Sequence, residues 1–334
     1  MGHSTPSSRR EFLKTCAAGA AYAGGVCGTA GPLLAFPSTQ RSRVVTARDP
    51  QLRAGGSNPD SGRLLNMLDR SVQALYRTDS PQQAWKMVAR PGEVVGLKVN
   101  GLAGRGMSTN VLLVELICER LRDAGVAGRD LIIWDRLNMD LESAGFRLAS
   151  RGEQPRALGN DAAGYEEDLA VFGSVGSLLS KILTRMCDAV INIPVLKDHG
   201  IAGVTLALKN MFGAIHNPNK YHLNVGDPYV ADVNMLAPIR QKVRLHICDA
   251  TTAEYEGGPS YMPQWTWPYN GLLVSRDPVA LDTVGWQIIE RKRAEKGMRS
   301  LEALKRAPRY IATAADAQHR LGVNDPRLIE QVEV

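Results

Sequence analysis

From residue 93 onward, short apolar runs closed by polar residues alternate with stretches in which apolar residues return every three or four positions. The runs at 93–100, 130–135, 189–196, 243–249 and 272–275 predict strands, because compact apolar segments bounded by turn residues suit a sheet buried on both faces. Leu64, Leu65, Leu68, Val72 and Leu75 fall on one helical stripe and predict a helix over 62–76. The same spacing predicts helices over 111–124, 139–146, 175–186, 203–215, 230–240 and 277–293. Ser108-Thr109-Asn110 supplies a capping group for the second of these, and Pro278 stands in the first turn of the last. Regular alternation of strand and helix predicts an α/β fold, a mainly parallel sheet with helices on both faces in a Rossmann-like layered architecture. Residues 150–172 are irregular and read as an insertion, and the tail from 309 reads as a small helix and turn.

The N-terminus breaks this rhythm. Ser8-Arg9-Arg10-Glu11-Phe12-Leu13-Lys14 carries a twin-arginine export signature, followed by an Ala/Gly-rich stretch to Ala35. Residues 1–35 are therefore expected to be a signal, with the twin-arginine export machinery as a partner and a periplasmic or otherwise exported destination. Residues 36–62, rich in Ser, Arg, Pro and Gly, read as a linker or arm, leaving 63–334 as a single domain. The formal charge of +6 includes Arg9, Arg10 and Lys14 against Glu11, so the rest of the chain carries only +4. No basic run is interleaved with aromatics, and nucleic acid is not an expected partner; assembly into an oligomer stays open.

Cysteine spacing narrows the cofactors. Cys118, Cys187 and Cys248 are far apart in apolar contexts, and the chain holds no C-x-x-C, so it contains neither an iron–sulfur motif nor a c-type haem motif. These three are expected to be buried structural thiols. The loop 100–110 lacks both the P-loop ending and a G-x-G-x-x-G frame, which makes it a strand-to-helix turn rather than a nucleotide cradle.

Chemistry-bearing residues concentrate between Asp188 and His222, where an apolar strand runs into Lys197-Asp198-His199-Gly200. In open α/β sheets ligands bind beyond the carboxyl ends of strands. Lys197, His199 and Lys209 are accordingly candidate acid/base groups, since burial can tune lysine downward and histidine titrates near neutrality. Lys98, Asn100, Asn210 and Lys220, with Gly257 and Gly258 allowing close backbone approach, are candidate substrate contacts. His199, His216, His222 and Asp249 form a candidate ligand set for a divalent metal, although their spacing matches no standard zinc pattern. His246 reads as a satisfied core or surface histidine and His319 as an exposed helical one. Trp265, Trp267 and Tyr269 either pack the loop or form a stacking wall.

Lys197-x-His199, Lys209-Asn210-x-x-Gly213, His222, Cys248-Asp249-Ala250, Glu256-Gly257-Gly258-Pro259 and Ser275-Arg276-Asp277-Pro278-Val279-Ala280-Leu281-Asp282 together resemble the domain of unknown function 362 family over residues 94–289. The resemblance implies a shared α/β fold and a shared pocket. Ferredoxin-type cysteine runs found in some relatives are missing, so that cofactor is not carried over. The function these residues suggest is an exported enzyme acting by acid/base chemistry on a small anionic or oxygenated molecule, with lyase, isomerase and hydrolase chemistry not separable. Alternatives are a ligand- or cofactor-binding protein without turnover, and a redox subunit.

Overall fold

A computed structural model describes residues 41–334; the export signature lies outside the described residues. Eleven strands form the main sheet: β1 (Ser42–Arg48), β2 (Val95–Lys98), β3 (Leu131–Asp135), β4 (Arg156–Gly159), β5 (Ala189–Asn192), β6 (Val195–His199), β7 (Gly203–Thr205), β8 (Val243–Glu254), β9 (Thr266–Trp267), β10 (Gly271–Ser275) and β11 (Ile329–Glu333). The backbone of the sheet runs β11-β1-β10-β8-β5-β2-β3-β4, with β9 and β6 pairing β8 and β7 pairing β6. β4, β3, β2, β5 and β8 are mutually parallel, and β10 reverses direction against both β8 and β1. The α/β expectation of a mainly parallel sheet therefore holds, with an antiparallel seam at β10.

Period-2 alternation assigns the strand side chains to two cores, one on each face. Leu272 and Val274 join Leu64, Leu68, Trp85, Leu97 and Ile117 in one core, and Leu273 joins Trp134, Val190, Leu206 and Val284 in the other. Helix Ser61–Tyr76 starts at Asp60, whose carboxylate accepts the Arg63 amide, and buries Leu64, Met67, Leu68 and Val72. Helix Pro278–Glu295 starts at Asp277, which accepts the amides of Val279 and Ala280.

Several expectations are corrected. The arm at 36–62 contains β1, whose Val44 and Val45 are fully buried and which pairs on both sides, with β10 and β11. The tail likewise adds β11 as well as a helix, and the insertion at 150–172 contributes β4, parallel to β3 at the sheet edge. The run at 189–196 is two strands rather than one, because Pro194 lacks an amide to continue the ladder. Residues 175–186 are a hairpin strand, Val175–Ser177, followed by a wide turn at Ile182–Met186. Residues 203–215 open with β7, and the helix is confined to Ala207–Asn210 with a tighter turn at Met211–Ala214.

That short helix is held from outside. The Asp282 carboxylate, fully buried in helix Pro278–Glu295, accepts the amides of Ala207 at 2.7 Å and Leu208 at 3.1 Å. Burial pushes its pKa well above the usual carboxylate range, and the two amide donors oppose that shift. Truncation would orphan two buried donors, so Asp282→Ala is expected to lower stability by about 2–4 kcal/mol, with Asp282→Asn recovering part of the loss; a urea midpoint equal to wild type would contradict the assignment.

Candidate active site

A cavity of about 330 Å³ opens beyond the carboxyl ends of the parallel strands. Lys98 ends β2, Asp135 ends β3 and His199 ends β6, so the strand-ending polar residues converge on one rim. β2 leads to β3 and β4 on one side while β5 lies on its other side, which makes this a topological switch point, where open α/β sheets offer a crevice. Lys98, Asn100, Asp135, Lys197, His199, Lys209, Asn210 and His222 all line it, together with Arg136, Asp140, Thr205 and Phe212.

The three lysines are not equivalent. Lys98 is buried and paired, its Nζ 2.7 Å from Asp135 Oδ1 and 2.6 Å from the Val99 carbonyl. Asp135 is held in turn by the amides of Gly101 and Arg136. Lys197 and Lys209 have no carboxylate within ion-pair distance among the described residues. Among the described residues Lys197, fully buried, donates only to the carbonyls of Pro259 at 3.1 Å and Met107 at 3.4 Å. Its ammonium is destabilised by burial, with partial relief from Glu254, Asp135 and Asp198, and its pKa falls to about 8. Lys209 Nζ lies 3.1 Å from His222 Nε2 and 4.8 Å from the centre of the Phe212 ring. Burial, and then the charge of Lys197, bring its pKa down to about 7.

His199 is fixed in one protonation state. Its Nδ1 accepts the amides of Ala202 at 3.1 Å and Ile201 at 3.3 Å, so in the neutral ring the proton resides on Nε2. Burial, followed by Lys209, His222 and Lys197, pushes its pKa down to about 2. It is thus a neutral hydrogen-bond donor, not a base. His222 stacks on it with ring centres 5.4 Å apart, and burial and Lys209 lower its pKa as well.

The remaining anchors are amides. Asn100 Nδ2 donates to Asn210 Oδ1 at 3.0 Å, Asn210 Nδ2 to Asn192 Oδ1 at 2.7 Å, and Asn192 Nδ2 reaches His246 Nδ1 at 3.1 Å; of the two expectations for His246, core or surface, the core one holds. Asn100 Oδ1 and Thr205 Oγ1 are buried without a hydrogen-bond partner among the described residues, in two residues of the cavity wall. Gly213 closes the Lys209-Asn210-x-x-Gly pattern because a Cβ there would stand 2.5 Å from Lys98 Cε and 2.7 Å from Asp135 Oδ1.

Other expected residues fall elsewhere. Lys220 and His216 are exposed and absent from the lining; His216 packs edge-on against Tyr165. Asp249 lines a different cavity, where it accepts the Asn110 amide and the amide and hydroxyl of Thr251. His199, with its Nδ1 accepting, presents a protonated Nε2 rather than a lone pair. The expected metal set of His199, His216, His222 and Asp249 is therefore not brought together, and no group of three or more His, Cys, Asp or Glu among the described residues is arranged to hold an ion. Gly257 and Gly258 admit protein rather than ligand: the Gly258 amide donates to Asp198 Oδ1 and its carbonyl accepts from Gly200, so the loop packs directly on the end of β6. Trp265, Trp267 and Tyr269 lie outside the lining, with Trp267 packed against Tyr255 and Tyr269. His319 is buried, 2.9 Å from Asp232 and 2.8 Å from Asp316, not exposed. Cys118, Cys187 and Cys248 are buried and free among the described residues.

Sequence reasoning missed Arg136, Asp140 and Thr205. Arg136 follows Asp135 at the end of β3, the same position that singled out Lys197 and His199; its nearest carboxylate, Asp140, is 3.9 Å away. Thr205 carries no such signal, since β7 was read as helix. Also unread was the network behind β6, in which Asp198 and Glu256 share Arg306 and Arg293 binds Glu256.

Fold and rim thus define an α/β protein with a small basic pocket at the carboxyl edge of its sheet. The chain belongs to the family described as a domain of unknown function (DUF362), which matches residues 95–287 and so includes every residue of the rim. No curated protein matches it. Among solved structures, it is similar to a protein from Thermotoga maritima at 9% identity and a TM-score of 0.43, covering 72% of this chain. It is also similar to the lactate racemase apoprotein from Thermoanaerobacterium thermosaccharolyticum at 10% identity and a TM-score of 0.37, covering 79% of this chain. In both cases the match spans 60% of the other chain, and neither likeness bears on the reaction.

Removing a buried, unpaired ammonium removes its desolvation cost. That cost is complete below pH 7, where Lys209 is charged both folded and unfolded. It fades between about 7 and the ordinary lysine value of 10.5, as the folded form alone loses its proton. Lys209→Met is therefore expected to be more stable than wild type by about 1–4 kcal/mol at pH 6, with the advantage shrinking by pH 10. Chemical denaturation across this range tests it, and a variant less stable at pH 6 would contradict the burial argument.

Proposed function

We propose that the protein is an exported enzyme that moves a proton at carbon next to a carboxylate or carbonyl of a small oxygenated anion. The observation that carries this reading is the pair of carboxylate-free lysines, Lys197 and Lys209, facing one cavity with a neutral histidine donor. General acid/base groups work best with pKa values near the operating pH, and the lysine values of about 8 and about 7 meet that condition. Arg136 anchors a substrate carboxylate. His199 Nε2–H donates to the oxygen on which charge develops, a role that suits a neutral imidazole. Export rests on Arg9-Arg10 and its following Ala/Gly-rich segment.

Proton transfer of this kind belongs to an isomerase or lyase and needs no redox centre. A test uses a panel of short 2-hydroxy and 2-oxo carboxylates incubated with the protein in deuterium oxide and followed by proton NMR. Wild type is expected to exchange the α-hydrogen of at least one of them, and Lys197→Met or Lys209→Met to slow that exchange by about 10²–10⁴-fold. Binding of the same acids with no exchange would favour a ligand-binding protein without turnover.

A further inference from the structure

The two free lysines differ in what their nitrogens touch. Lys197 Nζ is engaged by two backbone carbonyls, of Pro259 and Met107, which fix its direction. Among the described residues Lys209 Nζ has a single hydrogen-bond partner, His222 Nε2 at 3.1 Å, and leans on the Phe212 ring. A neutral amine donating one N–H to a neutral imidazole keeps its lone pair free toward the cavity. Such an amine is a nucleophile, and a lysine desolvated beside a second cationic group is one arrangement that activates it toward carbonyl carbon. The cavity around it holds Arg136 for a carboxylate, His199 for a carbonyl oxygen, and an apolar wall from Leu102, Ile201 and Phe212.

We infer that Lys209 forms a Schiff base with a short 2-oxo carboxylate, so that the pocket handles its substrate covalently. This inference rests on the proton-transfer reading above and adds the substrate class and the bond. In the first step the Nζ lone pair attacks the carbonyl carbon, the carbonyl π electrons move to oxygen, and His199 Nε2–H hydrogen-bonds to that oxygen. The ammonium proton on Nζ passes to His222 Nε2 and then to the new alkoxide, giving a neutral carbinolamine. Loss of hydroxide with uptake of one proton releases water and leaves a C=N bond; no electrons are gained or lost. The iminium draws electrons from the neighbouring C–H bond, and Lys197, kept out of the covalent step by its carbonyl contacts, takes the proton.

The probe is pyruvate with sodium borohydride, which reduces an imine to a stable secondary amine. Wild type is expected to gain the mass of one reduced pyruvate adduct, mapped by peptide mass spectrometry to Lys209. Lys209→Met, expected to be fully folded, should lose the adduct, and Lys197→Met should keep it. Adducts at surface lysines only, or at Lys197, would overturn the inference, as would no adduct at all. In parallel, thermal shift with lactate, which has the anion but no carbonyl, reports on the pocket independently. Stabilisation by lactate that Arg136→Met abolishes, without any pyruvate adduct, would sink the Schiff base and leave the anion site standing. No response to either acid would overturn both.

Discussion

An unequal pairing governs the carboxyl rim of this sheet: three lysines are buried there, and one carboxylate is spent on only one of them. Asp135 takes Lys98 at 2.7 Å and its second oxygen accepts the Gly101 amide, so it hydrogen-bonds neither Lys197 nor Lys209; Lys197 is relieved only at longer range, by Glu254 first and then by Asp135 and Asp198. Asp198, next to Lys197 in sequence, is turned away to Arg306 and the Gly258 amide. Burying an ammonium without a counterion costs free energy that a protein usually avoids by pairing it or by releasing the proton. Here the second route is open at both positions, because burial lowers the pKa of each lysine.

Rigid surroundings keep the arrangement from relaxing. Asp282 fixes the start of the Ala207–Asn210 helix that carries Lys209, and the amide chain from Asn100 through Asn210 to Asn192 and His246 ties that helix to β2, β5 and β8. On the other side, Asp198, Arg306, Glu256 and Arg293 brace the end of β6 against the loop after β8 and the C-terminal region. Lysines held by a packed scaffold cannot swing out to water to recover their hydration, which is how preorganised sites retain perturbed groups.

Much of this was legible in the sequence, for physical reasons. Apolar runs with polar ends located the strands, and in a parallel sheet all such ends lie on one side, so Lys98, Asn100, Lys197 and His199 had to meet. What stayed hidden involved partners distant in sequence. β1 looks like linker because its pairing strands, β10 and β11, come more than two hundred residues later. Asp282 reads, with Asp277, as a residue that caps and orients its own helix; the helix it does cap, Ala207–Asn210, lies far earlier in the chain. Gly257 and Gly258 suggested room for a ligand, yet the space they open is filled by the end of β6 and by Trp265. His216 shares the sequence neighbourhood of the site, and Asp249 its place on a strand, without sharing its geometry.

The central claim is that Lys197 and Lys209 lie in the pocket as readily deprotonated amines. It is tested most directly by titrating protein labelled with ¹⁵N at the lysine Nζ positions, with signals assigned through Lys197→Met and Lys209→Met. Two signals with midpoints of about 8 and about 7 are the predicted result. Titration of both near the ordinary value of 10.5 would contradict it.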